Sequence, residues 1–205
     1  MKFTLTRPLQ QYIHFEGRRY RLNLAFDNVL RVFEVQRDPL FTPAQRVHLA
    51  VELLVGRQAA RRLPFGKLSE LLSRISAEFL SPKTRPVKPG EPRVLDWAQD
   101  APLIYAAFLQ AYGMDLMKQR GRLDWRVFLA LFQALPESTK IREVMGIRRC
   151  DLPAPDKYNA DQIKKLIEAK QYYAIKVSDE EAEANLQAGL DRFGAALVSR
   201  AKRGG

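Results

Sequence analysis

Apolar positions recur along the chain at two spacings, and the change from one to the other marks out the elements. From Tyr12 to Phe26, YIHFEGRRYRLNLAF, the residues Tyr20, Leu22 and Leu24 alternate with Arg21 and Asn23 beyond a Glu16-Gly17 turn signal. Period two after a turn predicts a β-hairpin with one face on the core and Arg18, Arg19 and Arg21 at or near solvent. The spacing then becomes three and four. Asp27 is expected to cap a helix that turns Val29, Leu30, Phe33 and Val35 inward. Thr42-Pro43-Ala44-Gln45 reads as a capping box with proline at the first helical position. Val47, Ala50, Val51, Leu54 and Val55 form its stripe, and Gly56 closes it. Residues 57–66 read as a basic connection to a helix from about Lys67 to Leu80, with Leu68, Leu71, Leu72, Ile75 and Phe79 inside. Four prolines and one glycine in SPKTRPVKPGEPR, residues 81–93, predict an extended linker.

The stretch from Val94 to Arg149 carries three more helices, around which the chain should be organised. Asp100 is the expected N-cap of the first, Pro102 lies in its first turn, and Gly113 ends it. Ile104, Ala107, Phe108, Ala111 and Tyr112 share one face. The second, Leu123 to Leu135, is apolar nearly all round: Trp125, Phe128, Leu129 and Phe132 on one side, Val127 and Leu131 on the other. That pattern predicts the centre of a core. Pro136 stops it, and Ser138 or Thr139 caps a third helix with Ile141, Val144 and Met145. Beyond the connector CDLPAPDKY, Asn159 with Gln162 should box a helix with a narrow stripe of Ile163, Leu166 and Ile167. Ser178 with Glu181 opens a last helix, whose Leu186, Leu190, Phe193 and Leu197 follow at spacings of four, three and four. The fold class expected is mainly α, a multi-helix bundle with a small N-terminal β-hairpin. Its parts are an N-terminal lobe 1–80, the basic linker 81–93, a central core 94–150 and a helical extension 151–205, with neither lobe a fully independent domain.

The blocks DWAQDAPLIYAAFLQAYGMDL and LDWRVFLALFQALPESTKIREVMGIRRCDL, with YRLNLAFDNVLRVFEV and AVELLVG upstream, resemble the bacteriophage gp-fifteen family of siphophage and prophage tail clusters. The order of blocks matches over most of the chain. One departure is visible: the family pattern has two adjacent tryptophans, whereas Trp125 here is followed by Arg126. The resemblance implies a non-catalytic role in tail assembly, as a chaperone acting on the tape measure protein.

Composition narrows the class. A hydrophobic content of 46% beside 28% charged residues is that of a globular protein. No apolar run approaches the roughly 20 residues that span a bilayer, and MKFTLTRPLQ lacks a signal peptide's apolar region. One cysteine, Cys150, excludes an internal disulfide and fits the reducing cytoplasm of a bacterial host. The net charge of +11 is concentrated early: residues 1–95 hold 17 Lys+Arg against 8 Asp+Glu, whereas residues 151–205 hold 9 of each. A charge of that size eases contact with acidic surfaces at low salt, although solubility alone accounts for it.

Chemistry is sparse. His14 and His48 fall in different elements and form no ligand pair, so no metal is expected. Cys150 has no base supplied by motif and reads as a buried or edge thiol. Gly113 and Gly121 do not make a phosphate loop, and Asp96, Asp100, Asp115 and Asp124 bracket helix ends, where caps explain them. The expectation is no enzyme and no cofactor. Three interaction candidates remain: the C-terminal stripe Leu186, Leu190, Phe193 and Leu197; a basic patch of Arg57, Arg61, Arg62, Lys67, Lys83, Arg85, Lys88 and Arg93; and the Tyr172-Tyr173 pair, which reads as satellite packing. The stripe either folds back onto its own core or offers a face to a helical partner or a second copy. No aromatic platform interleaves the basic patch, so nucleic acid is not the expected partner. The favoured reading is a tail assembly chaperone whose partners are the tape measure protein and the tail tube protein. A structural tail component of the virion and a nucleic-acid-binding accessory protein are the alternatives.

Overall fold

The computed structural model describes residues 5–81, 93–153 and 159–176. The chain forms two compact units, Met1–Arg149 and Cys150–Gly205. Described residues form eight helices and one hairpin, the mainly α architecture expected. None of those helices is long and apolar enough to cross a membrane.

Alternation in the first segment folds as predicted. Strands β1 (Tyr12–Phe15) and β2 (Arg18–Arg21) pair antiparallel with Phe15 opposite Arg18. Glu16 and Gly17 are left as a two-residue turn with φ of 48° and 67°. Two positive φ values mark a type I′ turn, whose twist suits a hairpin and which glycine enters without strain. Ile13, Phe15 and Tyr20 face inward, while Arg18, Arg19 and Arg21 are exposed.

Past the hairpin the chain is threaded through the core by its backbone. Asn23 N donates to Leu54 O (2.8 Å) at the end of α2 (Pro43–Val55). Phe26 N donates to Leu123 O (2.9 Å), and Trp125 N donates back to Leu24 O (2.7 Å) at the start of α6 (Trp125–Gln133). Helix α1 (Phe26–Arg37) begins here, two residues earlier than a cap at Asp27 implies and without a side-chain cap. Asp27 sits inside its first turn, where its carboxylate accepts from Gly121 N (2.8 Å) and tethers a distant loop. Asn28 is buried because its Nδ2 donates to both Asn23 O (3.0 Å) and Leu53 O (2.9 Å), satisfying the amide. The Thr42–Gln45 capping box of α2 forms as predicted, and Ala50, Val51 and Leu54 are its buried stripe.

The basic connection contains a turn of helix, α3 (Arg57–Ala60), and α4 (Phe65–Ile75) starts two residues before the expected Lys67. After Ile75 the helix widens into a π-turn, Ser76–Leu80, closed by Ser81 N to Ser76 O (2.8 Å). The extra residue in that turn brings both Phe79 and Leu80 into the core.

Helix α5 (Ala101–Tyr112) buries Ile104, Ala107 and Phe108 and ends at Gly113, whose φ of 61° is the left-handed conformation glycine permits. The expectation for Asp100 fails: its carboxylate does not cap α5. It forms a buried bidentate pair with Arg148 of α7 (Lys140–Arg149), at 2.6 and 2.8 Å, and also accepts from Asp96 N (2.9 Å). A guanidinium fork satisfies a buried carboxylate better than orphan helix amides can, because it matches both charge and geometry. Arg148 adds a bond to Val94 O (3.1 Å). At α6 the three aromatic anchors are buried as expected, with Trp125, Phe128 and Phe132 at 1%, 1% and 6% exposure. Its other side is not: Val127 and Leu131 are half-buried and Ala130 is exposed, and Leu129, expected beside the aromatics, is half-buried too, so α6 lines the core and does not cross its centre. Asp124 does cap it, accepting from Arg126 N (2.9 Å). Thr139 is buried and precedes α7, donating from Oγ1 to Pro136 O (2.8 Å).

Core aromatics close around Trp125. Its ring meets Phe33, Trp97 and Phe128 at 5.5 Å each, and its Nε1 donates to Leu80 O (3.0 Å). The core cluster takes residues from the hairpin, α1, α2, α4, α5, α6 and α7. In the second unit, α8 (Ala160–Tyr172) has no buried residue; Asn159 makes no side-chain cap, so the box with Gln162 does not form.

Two outcomes are expected. Arg148→Met should cost about 3–5 kcal/mol in urea unfolding because it strands a buried carboxylate, and adding Asp100→Asn should restore most of it. The Asp96 carboxyl titrates below its ordinary value of 3.8: burial opposes ionisation, but the N–H groups of Gln99 and Ala98 and the charges of Arg93 and Arg37 outweigh it. A depressed carboxyl stabilises the fold above its unfolded pKa and loses that contribution as pH falls through the folded value. The stability gap between wild type and Asp96→Asn should therefore be full at neutral pH and shrink below about pH 4.

Candidate functional site

Among the described residues of the Met1–Arg149 unit most carboxylates are paired with a nearby cation, and this bears on which parts are available to a partner. Arg57 Nε lies 2.7 Å from Glu52 Oε1, and that hydrogen bond is the main reason the Glu52 carboxyl titrates below its usual range. Lys67 bridges Glu16 (2.6 Å) and Glu70 (3.1 Å), whose acceptors raise the pKa of its ammonium. Arg93 and Arg37 both reach Asp96. Of the basic patch singled out in the sequence, Arg57, Lys67 and Arg93 thus have carboxylate partners. Arg61 and Arg62 are exposed with no carboxylate partner among the described residues. Lys83, Arg85 and Lys88, and the whole stripe Leu186, Leu190, Phe193 and Leu197, lie outside the described residues. Tyr172 and Tyr173 pack edge to face at 4.8 Å, with Tyr172 81% exposed. Cys150 is exposed, not buried.

The feature that sequence reading passed over is the outward face of α5. Its twelve residues, APLIYAAFLQAY, include no charged side chain. Pro102, Ala106, Leu109 and Gln110 are exposed at three-four spacing, so they form one stripe. Leu109 is 47% exposed, Tyr112 36% and Met117, just beyond the helix, 66%. Solvated helix faces ordinarily carry charge, and an uncharged one on a protein of net charge +11 is the pattern of a covered surface. The helix is firmly held beneath. Phe108 stacks on Phe128 at 5.1 Å, and Tyr112 donates its hydroxyl to Leu131 O (2.8 Å), so the stripe is presented on a rigid base. The absence of charge from residue 101 to residue 112 was the available signal; the buried positions of the same helix masked it.

Arg126, which follows Trp125, is half-buried. It clamps Asp124 through Nε (2.9 Å) and the terminal guanidinium nitrogen (2.7 Å), with its planar group 5.8 Å from the Phe79 ring. The planar guanidinium over that ring adds a cation–π contact to the clamp. The quoted blocks therefore supply Trp97, Asp100, Phe108, Trp125, Phe128 and Arg148, the residues that hold the unit together. The whole run from residue 5 to residue 175 matches the family described as Bacteriophage Gp15 protein. The chain belongs to the phage Gp15 family. No curated protein and no solved structure matches it. In this Gp15 protein the family blocks thus lie mainly on the packing of the core, and the exposed stripe is carried on the back of one of them.

If the basic patch serves only solubility, Arg57→Gln, Arg61→Gln and Arg62→Gln together should leave partner affinity within about twofold at physiological salt, as titrated by calorimetry. A slower association with a flatter salt dependence would instead assign them to steering.

Proposed function

We propose that this phage protein is a non-catalytic tail assembly factor, a chaperone that holds helical segments of the tape measure protein in the host cytoplasm before tail tube subunits enclose them. The observation that carries the reading is the uncharged, exposed stripe of α5 on a rigidly anchored helix. A tape measure protein is a long helical chain whose apolar stripes aggregate unless covered. A helix laid along Pro102, Ala106 and Leu109 meets small and apolar side chains, with Gln110 able to accept or donate at the edge. Gaining roughly 1.5–3 kcal/mol for each large side chain fully buried, less the ordering cost, such a contact is weak enough for tube subunits to displace. The basic character of residues 1–95 favours a partner with acidic flanks. In the sequence, Leu186, Leu190, Phe193 and Leu197 recur at helical spacing and are a second candidate for such a contact.

Co-expression tests the reading. Wild-type protein should keep a tape measure fragment soluble, and Leu109→Asp should abolish that while shifting the thermal midpoint little, since Leu109 is already half exposed. Unimpaired rescue by a folded Leu109→Asp protein would place the binding face elsewhere.

A further inference from the structure

A cleft of about 460 Å³ opens where the hairpin exit crosses the end of α2 and the loop ahead of α6. Arg21 and Arg122 both line it and both are exposed, and their guanidinium groups pair with no carboxylate among the described residues. The single acid in the lining, Asp124, is already neutralised, since Arg126 occupies both its carboxylate oxygens. Positive charge in the cleft is therefore uncompensated.

The remainder of the lining is of opposite polarity. Helix α2 ends there over Leu53–Val55 with no basic residue in its last turn; Leu53 O and Leu54 O already accept from Asn28 Nδ2 and Asn23 N, which leaves Val55 O as the carbonyl with no donor among the described residues. Asn23 and Gln11 add side-chain amides that donate and accept. A nucleic-acid backbone, an unbroken row of anionic acceptors, is repelled by that carbonyl end. A peptide bearing a carboxylate suits both halves, because its acid matches the guanidiniums and a backbone N–H matches Val55 O.

We propose that this cleft binds a short acidic peptide segment, with Arg21 and Arg122 taking a side-chain carboxylate and the end of α2 meeting the peptide backbone. The site lies on elements other than α5 and goes beyond the tape measure reading, standing or failing independently of it.

Fluorescence anisotropy of the full chain at physiological salt tests this with a labelled peptide of alternating Glu and Ala. It should bind at least about tenfold more tightly than a Gln and Ala counterpart, and Arg21→Gln with Arg122→Gln should remove about that factor. Removing the same charge elsewhere, by Arg18→Gln with Arg31→Gln, should leave affinity within about twofold. Equal weakening by both pairs would mean diffuse charge attraction and overturn the site. Tighter binding of a duplex oligonucleotide, lost in the Arg21/Arg122 variant, would overturn it in favour of nucleic acid. On the unmodified protein, peptide addition should shift the amide resonances of Asn23, Gly56 and Gly121; shifts confined to other residues would overturn it without recourse to any variant.

Discussion

An indole ring has a large apolar face and a single N–H, so burying it demands apolar neighbours on all sides and one acceptor at a fixed point. Trp125 meets that demand by drawing together parts of the chain that are far apart in sequence. Its Nε1 reaches Leu80 O at the end of the π-turn, its backbone N–H reaches Leu24 O beyond the hairpin, and its ring is enclosed by Phe33, Trp97 and Phe128. The π-turn itself follows from this geometry. Without the extra residue after Ile75, Phe79 and Leu80 would not both turn inward, and the carbonyl would not be aimed at the indole. The hairpin, the four N-terminal helices and the central helices are in this way parts of one core.

A second constraint is polar. Arg148 and Asp100 are buried together, and Asp100 also binds Asp96 N, while Asp96 gathers Arg37 and Arg93. Such a network adds little net stability over apolar packing, yet it tolerates few alternative arrangements, because any misplacement leaves a charge buried without its partner. It joins the last turn of α7 to the first residue before α5. With Phe108 stacked on Phe128, it holds α5 from end to middle and leaves the outward side free of any structural duty. That side is where charge is missing.

What could be read in the sequence was what depends on neighbours along the chain. Alternation around Glu16-Gly17, the Thr42–Gln45 box, the stop at Gly113 and the three-four spacing of Trp125, Phe128 and Phe132 are local signals, and each formed. Residues whose partner is remote were misassigned. Asp27 and Asp100 both look like helix caps until the chain supplies Gly121 N and Arg148, which compete better for their carboxylates. Asn28 carries no local signal for burial; a carbonyl from the end of α2 makes it possible. The cleft bearing Arg21 and Arg122 is made from three separate segments, so no window of sequence contains it. The α5 stripe is the opposite case: twelve residues without a charge are plain in the sequence, but only knowledge of which side is buried turns them into a surface.

Membership of the phage Gp15 family, a tightly packed core and an anchored helix with a bare outer side support the proposed account, a scaffold that presents α5 to a helical partner. Site-specific photocrosslinking during co-expression with the tape measure protein tests it most directly. A photoreactive residue in place of Gln110 should crosslink to the tape measure chain, and one in place of Arg31, exposed on α1, should not. Crosslinks from position 31 with none from position 110, or crosslinks from 110 only to a second copy of the same protein, would contradict the account.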